Sequence, residues 1–289
     1  MNSNSIPRPI AVLFATPSYD AKVYTGFFES MLKTIIILKH HNIEADLMFL
    51  PGDSLIPRAR NNLVAKFLSF KKFSHLMFID SDIIWHPNAI LRLLQNDKDL
   101  VGAAYPKKKI LWKRLANIKG HLPNKKQKHN ENLDETEFLK HHMIDYNFNV
   151  KDDSIEQVKV ENTVIKVKHI ATGFMLMKRE MLEKMCKEYP KLKYVDDVGA
   201  LTEAEQKNAY ALFNCEIDEK GHFLSEDWLF CDRWRKIGGE VYIDFTIGLT
   251  HMGIHPFEGR LLTILTMSEM NKKNKKSSVT IKDVSTIST

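Results

Sequence analysis

The sequence is poor in cysteine and has no long hydrophobic segment. Its three cysteines, Cys186, Cys215 and Cys231, lie far apart and form no C-x-x-C pair, which favours a reducing compartment over a disulfide framework. The apolar runs, such as residues 10–15 and 35–38, are far too short to span a bilayer. Residues 1–9 contain no apolar h-region of a signal peptide. We therefore expect a cytoplasmic protein without a transmembrane segment.

The sequence also lacks the commonest motifs of nucleotide-binding and hydrolytic enzymes. It contains no P-loop, no G-x-G-x-x-G after a strand, no H-E-x-x-H and no nucleophile elbow, which excludes the frequent α/β enzyme classes that carry them. The net charge is +6, and the excess lies largely in two local runs, which suits an anionic ligand. No RNP, KH or zinc-finger pattern accompanies the lysines, so we expect no nucleic-acid partner.

The apolar pattern predicts an α/β fold. Residues 10–15 form a continuous apolar run, which is typical of a strand buried on both faces in a parallel sheet. Apolar side chains at helical spacing predict helices over residues 23–40 and 54–68. Residues 45–50 predict a second strand, and residues 171–182 predict a strand that runs into a helix. We expect a mostly parallel central sheet flanked by helices.

The most informative stretch is His75–Trp85. Four apolar residues, 76–79, end at Asp80 and Asp82, two carboxylates separated by Ser81. Ligands of open α/β sheets bind at the carboxyl ends of strands. Two acids at i and i+2 can share a hard divalent cation that also holds substrate phosphates. The structural alternative is that Asp80 ends the strand and Asp82 stabilises a turn.

This stretch resembles the DXD motif of GT-A-type glycosyltransferases, which bind a nucleotide-sugar diphosphate through Mn2+ or Mg2+. Further segments similar to that group occur in the same order between about Ile10 and Gly259, with an unmatched middle. The resemblance implies a GT-A-like single domain. It also implies a metal-dependent, inverting glycosyltransferase that moves a sugar from a nucleotide-diphosphate donor to an acceptor hydroxyl of a glycan or protein.

The resemblance extends to the donor side of such a site. The loop after the first predicted strand is similar to the loop that contacts the nucleotide, and the R-A-R-N start of a helix is similar to the segment before DXD. Arginines in a helix's first turn oppose the macrodipole and require a negative partner, either a ligand phosphate or a sheet carboxylate. The implied donor-binding residues are Thr16, Pro17, Tyr19, Arg60, Asn61, Asp80, Ser81 and Asp82.

Later segments imply the acceptor side and the catalytic base. The T-G-F segment resembles an acceptor-side strand and implies Gly173 there, whereas the alternative is a glycine needed only for close packing. An E-D pair that opens a helix resembles the catalytic-base segment of inverting enzymes. Asp227 is the expected general base and Glu226 the alternate. As the structural alternative, both acids stabilise the amino end of the helix.

The metal ligands implied by the resemblance are Asp80, Asp82 and His251. Many GT-A enzymes complete the metal site with a histidine late in the chain, and imidazole is an acceptable ligand for Mn2+. His255 is a weaker candidate in the same loop. A structural role is the alternative for each histidine.

The expected organisation divides the chain into successive segments. In chain order these are an N-terminal tail (1–9), a nucleotide-sugar-binding half (10–106), a basic insertion of loop and β-ribbon (107–168), an acceptor and catalytic half (169–262) and a disordered tail (271–289). We expect the insertion to be solvated and to lie near the acceptor entrance.

Two other functions stay open at this point. A nucleotidyltransferase acting on sugar phosphates is chemically close, although residues 16–24 lack the glycine-rich, basic loop that such enzymes usually carry. A non-catalytic module that binds glycans or polyanions is the alternative outside enzymes. The acids and the histidine of the expected site argue against that module, because binding alone does not require them.

Overall fold

A β-sheet with helices on both faces organises the protein. The computed structural model describes residues 9–114, 135–150, 160–161 and 163–262. Within these ranges the helices are α1 (Thr25–His40), α2 (Ile56–Ser69), α3 (Ala89–Gln95), α4 (Glu135–His142), α5 (Arg179–Glu188), α6 (Glu203–Gln206) and α7 (Glu226–Lys236). The strands there are β1 (Ala11–Ser18), β2 (Glu44–Pro51), β3 (His75–Ile79), β4 (Ile83–Trp85), β5 (Leu100–Gly102), β6 (Pro106–Ile110), β7 (Ile144–Tyr146), β8 (Phe148–Val150), β9 (Val160–Glu161), β10 (Val164–Ile170), β11 (Phe174–Lys178), β12 (Glu216–Ile217), β13 (Phe223–Leu224), β14 (Val241–Asp244), β15 (Leu249–Met252) and β16 (Pro256–Gly259).

Most strands of the central sheet run in one direction. Among the described residues this sheet has nine strands in the order β2-β1-β3-β11-β5-β14-β10-β8, and β9 also pairs with β10. β1 is parallel to β2 and β3, and β5 is parallel to β14. β11 lies antiparallel between β3 and β5, and β10 is antiparallel to β14, β8 and β9. Among the described strands of this sheet, only β10 and β11 run in the opposite direction. The predicted α/β fold with a mostly parallel central sheet is therefore confirmed.

Each face of the sheet carries a hydrophobic core of its own. Along β1, Leu13 and Ala15 belong to one core, and Val12 and Phe14 belong to the other. The first core packs against α2, α5 and α7, and the second packs against α1 and α3. This burial on both faces explains why β1 reads as a continuous apolar run instead of an alternating one.

Helix α2 begins next to the sheet edge at which β1 and β3 end. Its Pro57 lies in the first turn, where the missing N–H has no intrahelical partner to lose. Leu63, Val64 and Phe67 are buried against the sheet, as the sequence pattern predicts. The helix thereby places the Arg60 side chain beside Asp80 at the end of β3.

A buried arginine fixes the other end of α2. Arg179, at the start of α5, is 2% exposed, and its guanidinium donates hydrogen bonds to the carbonyl oxygens of Phe67 (3.0 Å), Phe70 (2.7 Å) and Phe73 (2.7 Å). The last carbonyls of a helix have no intrahelical donor, and cations are favoured at that end. Arg179 supplies both the donors and the charge.

Two smaller sheets extend the carboxyl edge of the central sheet. β15 pairs with β16 and with β4, and β6 pairs with β7, all antiparallel. The expected boundary at residue 107 falls inside β6, and β8, β9 and β10 are strands of the central sheet. The segment predicted as an insertion thus supplies strands to the central sheet, while its β6 and β7 pair in a separate sheet, and the division of the chain into segments stays a prediction.

Some of the sequence predictions lie outside the described residues. These are the predicted tails, apart from Pro9, and residues 115–134, 151–159 and 162 of the expected insertion. Within the described part of the chain, no helix combines the length and the apolar character that crossing a membrane requires.

Candidate functional site

The Asp80–Asp82 turn lies at the carboxyl end of β3, in the position that ligands of open α/β sheets use. Its backbone is fixed on both sides. Asp80 N–H donates to the carbonyl of Gly173 (3.1 Å), and Ile83 N–H donates to the carbonyl of Asp80 (3.1 Å). The Ser81 carbonyl accepts from Tyr24 N–H (3.1 Å). The two carboxylates consequently project from a rigid turn.

Arg60 is a buried cation between two acids. It is 3% exposed, its Nη2 donates to Asp80 Oδ1 (2.9 Å), and its Nε lies 3.7 Å from Glu226 Oε1. Burial lowers the pKa of Arg60, but the Asp80 and Glu226 carboxylates raise it more, so the group stays charged. Among the described residues no hydrogen-bond acceptor reaches its Nε or Nη1. Three N–H groups of this buried guanidinium, one on Nε and two on Nη1, therefore have no hydrogen-bond partner among the described residues.

The other polar residues near the start of α2 have different roles. Asn61 exchanges two hydrogen bonds with the backbone of Phe213, from its Nδ2 to the carbonyl oxygen (2.6 Å) and from Phe213 N–H to its Oδ1 (2.8 Å). This amide holds the loop that carries Phe213. Arg58 points elsewhere and forms an ion pair with Asp53 (2.8 Å). Of these residues, Arg60 is the one whose side chain contacts Asp80 and Glu226.

Asp82 is paired with two cationic or polar groups. Lys108 Nζ lies 2.5 Å from its Oδ2, and His251 Nε2 lies 3.5 Å from the same oxygen. Burial raises the pKa of Asp82, but His251 and Lys108 lower it more, so that pKa lies below its ordinary value. Sequence reasoning assigned Lys108 to the insertion and missed this contact. No sequence pattern indicated the contact, because β6 and the Asp80–Asp82 turn are separate in the sequence and come together only in the folded chain.

His251 is oriented by its second ring nitrogen. Its Nδ1 hydrogen-bonds the carbonyl oxygen of Pro106 (2.8 Å), and a carbonyl accepts only, so Nδ1 carries the hydrogen. In the neutral ring the lone pair is then on Nε2, the nitrogen that faces Asp82. β15 pairs with β4 and sets His251 opposite Ile83, and Met252 N–H donates to the Asp82 carbonyl (2.8 Å). The hairpin thus brings the late histidine to the DXD turn.

The two acids that open α7 are held differently. Asp227 is 8% exposed, and its Oδ1 accepts hydrogen bonds from the Ser225 hydroxyl and from Trp228 N–H (2.8 Å). Glu226 faces Arg60 at the edge of the site. Burial and the neighbouring acids outweigh Arg60 and raise the pKa of Glu226 above its ordinary value.

Gly173 and Tyr105 line the site at close range. A Cβ on Gly173 would lie 2.7 Å from Asp80 Oδ2 and 2.8 Å from the Tyr105 ring, so only glycine fits at this position without displacement. Tyr105 is buried, its pKa is raised by burial and by Asp80, and its ring packs edge-on against His251 (5.1 Å). Sequence reasoning missed Tyr105. Its position just beyond β5, the strand next to β11, was the available signal.

The first loop differs from its prediction. β1 continues to Ser18, so Thr16 and Pro17 are strand residues paired with Phe49 and Leu50 of β2. The sequence placed both residues in a loop because Pro17 was read as ending the strand. Thr16 is fully buried and its Oγ1 has no hydrogen-bond partner among the described residues, whereas Tyr19 is 65% exposed.

The donor set fits a divalent cation in part. Asp82 and His251 converge, and carboxylate oxygen with imidazole nitrogen is a donor set that Mn2+ accepts. Asp80, the third expected ligand, is engaged by Arg60. Among the described residues no group of three or more His, Cys, Asp or Glu side chains is arranged to hold a metal ion. A cation here would take its remaining ligands from water and from the ligand itself.

No family model matches the chain, and no curated protein matches it. A solved structure that resembles it is the crystal structure of A197 from STIV. The two chains are 16% identical, the match covers 84% of this chain and 86% of that chain, and the TM-score is 0.42. A likeness at this level indicates neither the activity nor the ligands of this chain.

Proposed function

We propose that this protein is a metal-dependent glycosyltransferase of GT-A type, which moves a sugar from a nucleotide-diphosphate donor to an acceptor hydroxyl. The observation that supports it best is Arg60, a buried guanidinium beside Asp80 and Glu226 whose Nε and Nη1 have no hydrogen-bond partner among the described residues. A diphosphate oxygen is the acceptor that suits such donors, because charge-assisted hydrogen bonds from arginine to phosphate are strong.

The proposed transfer is a single displacement. The acceptor oxygen forms a bond to the anomeric carbon, and the bond from that carbon to the diphosphate oxygen breaks with its electron pair passing to the diphosphate. The proton of the acceptor hydroxyl passes to a carboxylate of the site. Arg60 stabilises the charge that develops on the leaving group. Tyr105 and Gly173 shape the wall beside Asp80.

Glu226 is the better candidate for the base. The sequence favoured Asp227, but one oxygen of that carboxylate already accepts two hydrogen bonds and the residue is nearly buried. Glu226 has a raised pKa, which brings a carboxylate closer to the range that suits general base catalysis at neutral pH. Its side chain is 19% exposed, so an acceptor can reach it.

Asp82 and His251 would hold the cation, Mn2+ or Mg2+, whose chemistry is to act as a Lewis acid on the diphosphate. The Pro106 carbonyl keeps His251 in the tautomer that a ligand requires. Asp80 keeps Arg60 in place and has a supporting role in this arrangement.

The first test is thermal stabilisation by a panel of nucleoside diphosphates, with and without Mn2+. At a ligand concentration of 100 times Kd the native state gains about 2.7 kcal/mol, which is roughly 5 °C or more for a chain of this size. We expect a Mn2+-dependent shift for one nucleotide that Asp82→Asn abolishes. Asp99→Asn, at the opposite end of the sheet beside β5, is the matched control and should retain it.

A non-catalytic binding module is the second candidate, because Asp82 is already ion-paired and the described residues contain no group of three metal ligands. Product analysis separates the candidates. A glycosyltransferase supplied with its nucleotide sugar and acceptor releases a nucleoside diphosphate. A nucleotidyltransferase supplied with a nucleoside triphosphate and a sugar phosphate releases pyrophosphate. A binding module releases neither, and no stabilisation by any nucleotide would refute the enzyme proposals.

A further inference from the structure

β6 supplies two contacts to the site that the sequence assigned to no function. Its first residue, Pro106, accepts the hydrogen bond that orients His251. Two residues later, Lys108 extends its ammonium to Asp82 Oδ2 (2.5 Å). The lysine between them, Lys107, forms an ion pair with Asp145 (3.0 Å) instead. Successive side chains of a strand alternate between its two faces, and Lys107 and Lys108 follow that alternation.

The path of Lys108 to the carboxylate is built into the neighbouring hairpin. A Cβ added to Gly253 would lie 3.1 Å from Lys108 Cδ, so the glycine leaves the space along which the lysine chain runs. Gly253 follows β15 directly, and β15 also carries His251. One hairpin therefore positions the histidine and the lysine on the same carboxylate oxygen.

The ion pair between Lys108 and Asp82 is partly exposed to solvent. The Lys108 side chain is 38% exposed and that of Asp82 is 22% exposed. Ion pairs that water reaches contribute little to stability, because solvent screens them and the lysine chain loses rotamer freedom. Asp82 is also the residue whose oxygen faces His251 Nε2. A divalent cation that binds Asp82 and His251 therefore competes with the Lys108 ammonium for that oxygen.

We propose that Lys108 is an exchangeable cation of this site, which neutralises Asp82 in the ligand-free protein, yields that oxygen to a divalent cation and then binds the phosphate oxygens of the ligand. This inference rests on the proposed function and adds a residue to it. It makes Lys108 a binding residue with opposite effects on the divalent cation and on the diphosphate. The residue weakens cation binding and strengthens diphosphate binding.

The test is calorimetric titration of MnCl2 into wild type, Lys108→Gln, Lys108→Arg and Lys107→Gln. Lys107→Gln is the matched control. It removes the same charge from the neighbouring residue, whose side chain pairs with Asp145 and not with Asp82. We expect Lys108→Gln to bind Mn2+ roughly two- to fivefold more tightly than wild type, in keeping with the modest strength of a solvent-accessible ion pair. Lys107→Gln and Lys108→Arg should stay close to wild type.

The second measurement is the affinity for UDP, GDP, CDP and ADP at saturating Mn2+. We expect Lys108→Gln to bind the preferred nucleotide about tenfold more weakly, as befits one lost charge-assisted contact. If wild type binds Mn2+ and a nucleotide while Lys108→Gln equals Lys107→Gln in both affinities, this inference is refuted and the proposed function stands. If none of the four proteins binds Mn2+ or a nucleotide, both are refuted. Melting temperatures of the variants verify that each is folded.

Discussion

Replacing Gly173 by alanine tests whether the wall of the site is packed as closely as the structure indicates. The added Cβ would lie 2.7 Å from Asp80 Oδ2 and 2.8 Å from two carbons of the Tyr105 ring. These distances are well below van der Waals contact, so Asp80 or Tyr105 must move by several tenths of an ångström. Asp80 is held by Arg60 and Tyr105 is buried, so neither movement is free of cost.

We expect Gly173→Ala to lower the free energy of unfolding by about 1–3 kcal/mol, the usual range for overpacking. Gly248→Ala is the matched control, because its Cβ would meet its nearest neighbour at 3.5 Å, an ordinary contact. That substitution should stabilise by roughly 0.4–1 kcal/mol, since alanine restricts the unfolded chain. Urea unfolding of wild type and both variants measures the two effects with opposite signs.

The same substitution has a functional readout. A displaced Asp80 releases the guanidinium of Arg60 from its 2.9 Å hydrogen bond, so we expect weaker nucleotide binding in Gly173→Ala and unchanged binding in Gly248→Ala. The reasoning is refuted if Gly173→Ala matches Gly248→Ala in both unfolding free energy and nucleotide affinity. Loss of stability with intact binding would limit Gly173 to the packing role that the sequence left open.

Three further outcomes are expected. Arg179→Met should cost about 3–5 kcal/mol in urea unfolding, because it removes a buried cation and its hydrogen bonds to the carbonyls of Phe67, Phe70 and Phe73, while nucleotide affinity at low temperature stays unchanged. Arg60→Met should abolish nucleotide binding in a titration, whereas Arg58→Met, which removes an arginine paired with Asp53, should retain it. The pKa of Glu226 is raised, so its contribution to stability is present below about pH 4.5 and is lost as the pH rises through the raised pKa. Glu226→Gln should therefore gain stability relative to wild type as urea unfolding is repeated toward neutral pH, and equal pH profiles would contradict this.

Local sequence patterns predicted the scaffold of the site well. The apolar run before Asp80, the helix that starts before Arg60 and the strand that contains Phe174 are all specified by neighbouring residues. Each of these three elements forms, because burial periodicity reports directly on strands and helices. The antiparallel placement of β11 between β3 and β5 was not predicted, since strand order depends on connections and not on local pattern.

The roles of individual polar residues were harder to predict, because they depend on partners far away in the chain. Asn61 was expected to face the donor, but its amide is satisfied by the backbone of Phe213, 152 positions later. Lys108 reaches Asp82 only because β6 packs beside the hairpin that carries His251. Neither relation leaves a trace in spacing or composition, so neither contact could be predicted from the sequence alone.

The balance of acidic and basic side chains at the site favours a bound cation. Asp80, Asp82, Glu226 and Asp227 supply acidic groups, while the permanent cations that contact them are Arg60 and Lys108. With all four acids ionised, these residues together carry an excess of negative charge, which repels a diphosphate. The divalent cation proposed for Asp82 and His251 would offset that excess and free Lys108 for the phosphates. Under the proposed function, removing the metal should therefore weaken nucleotide binding more than any single substitution outside Arg60 and Asp82.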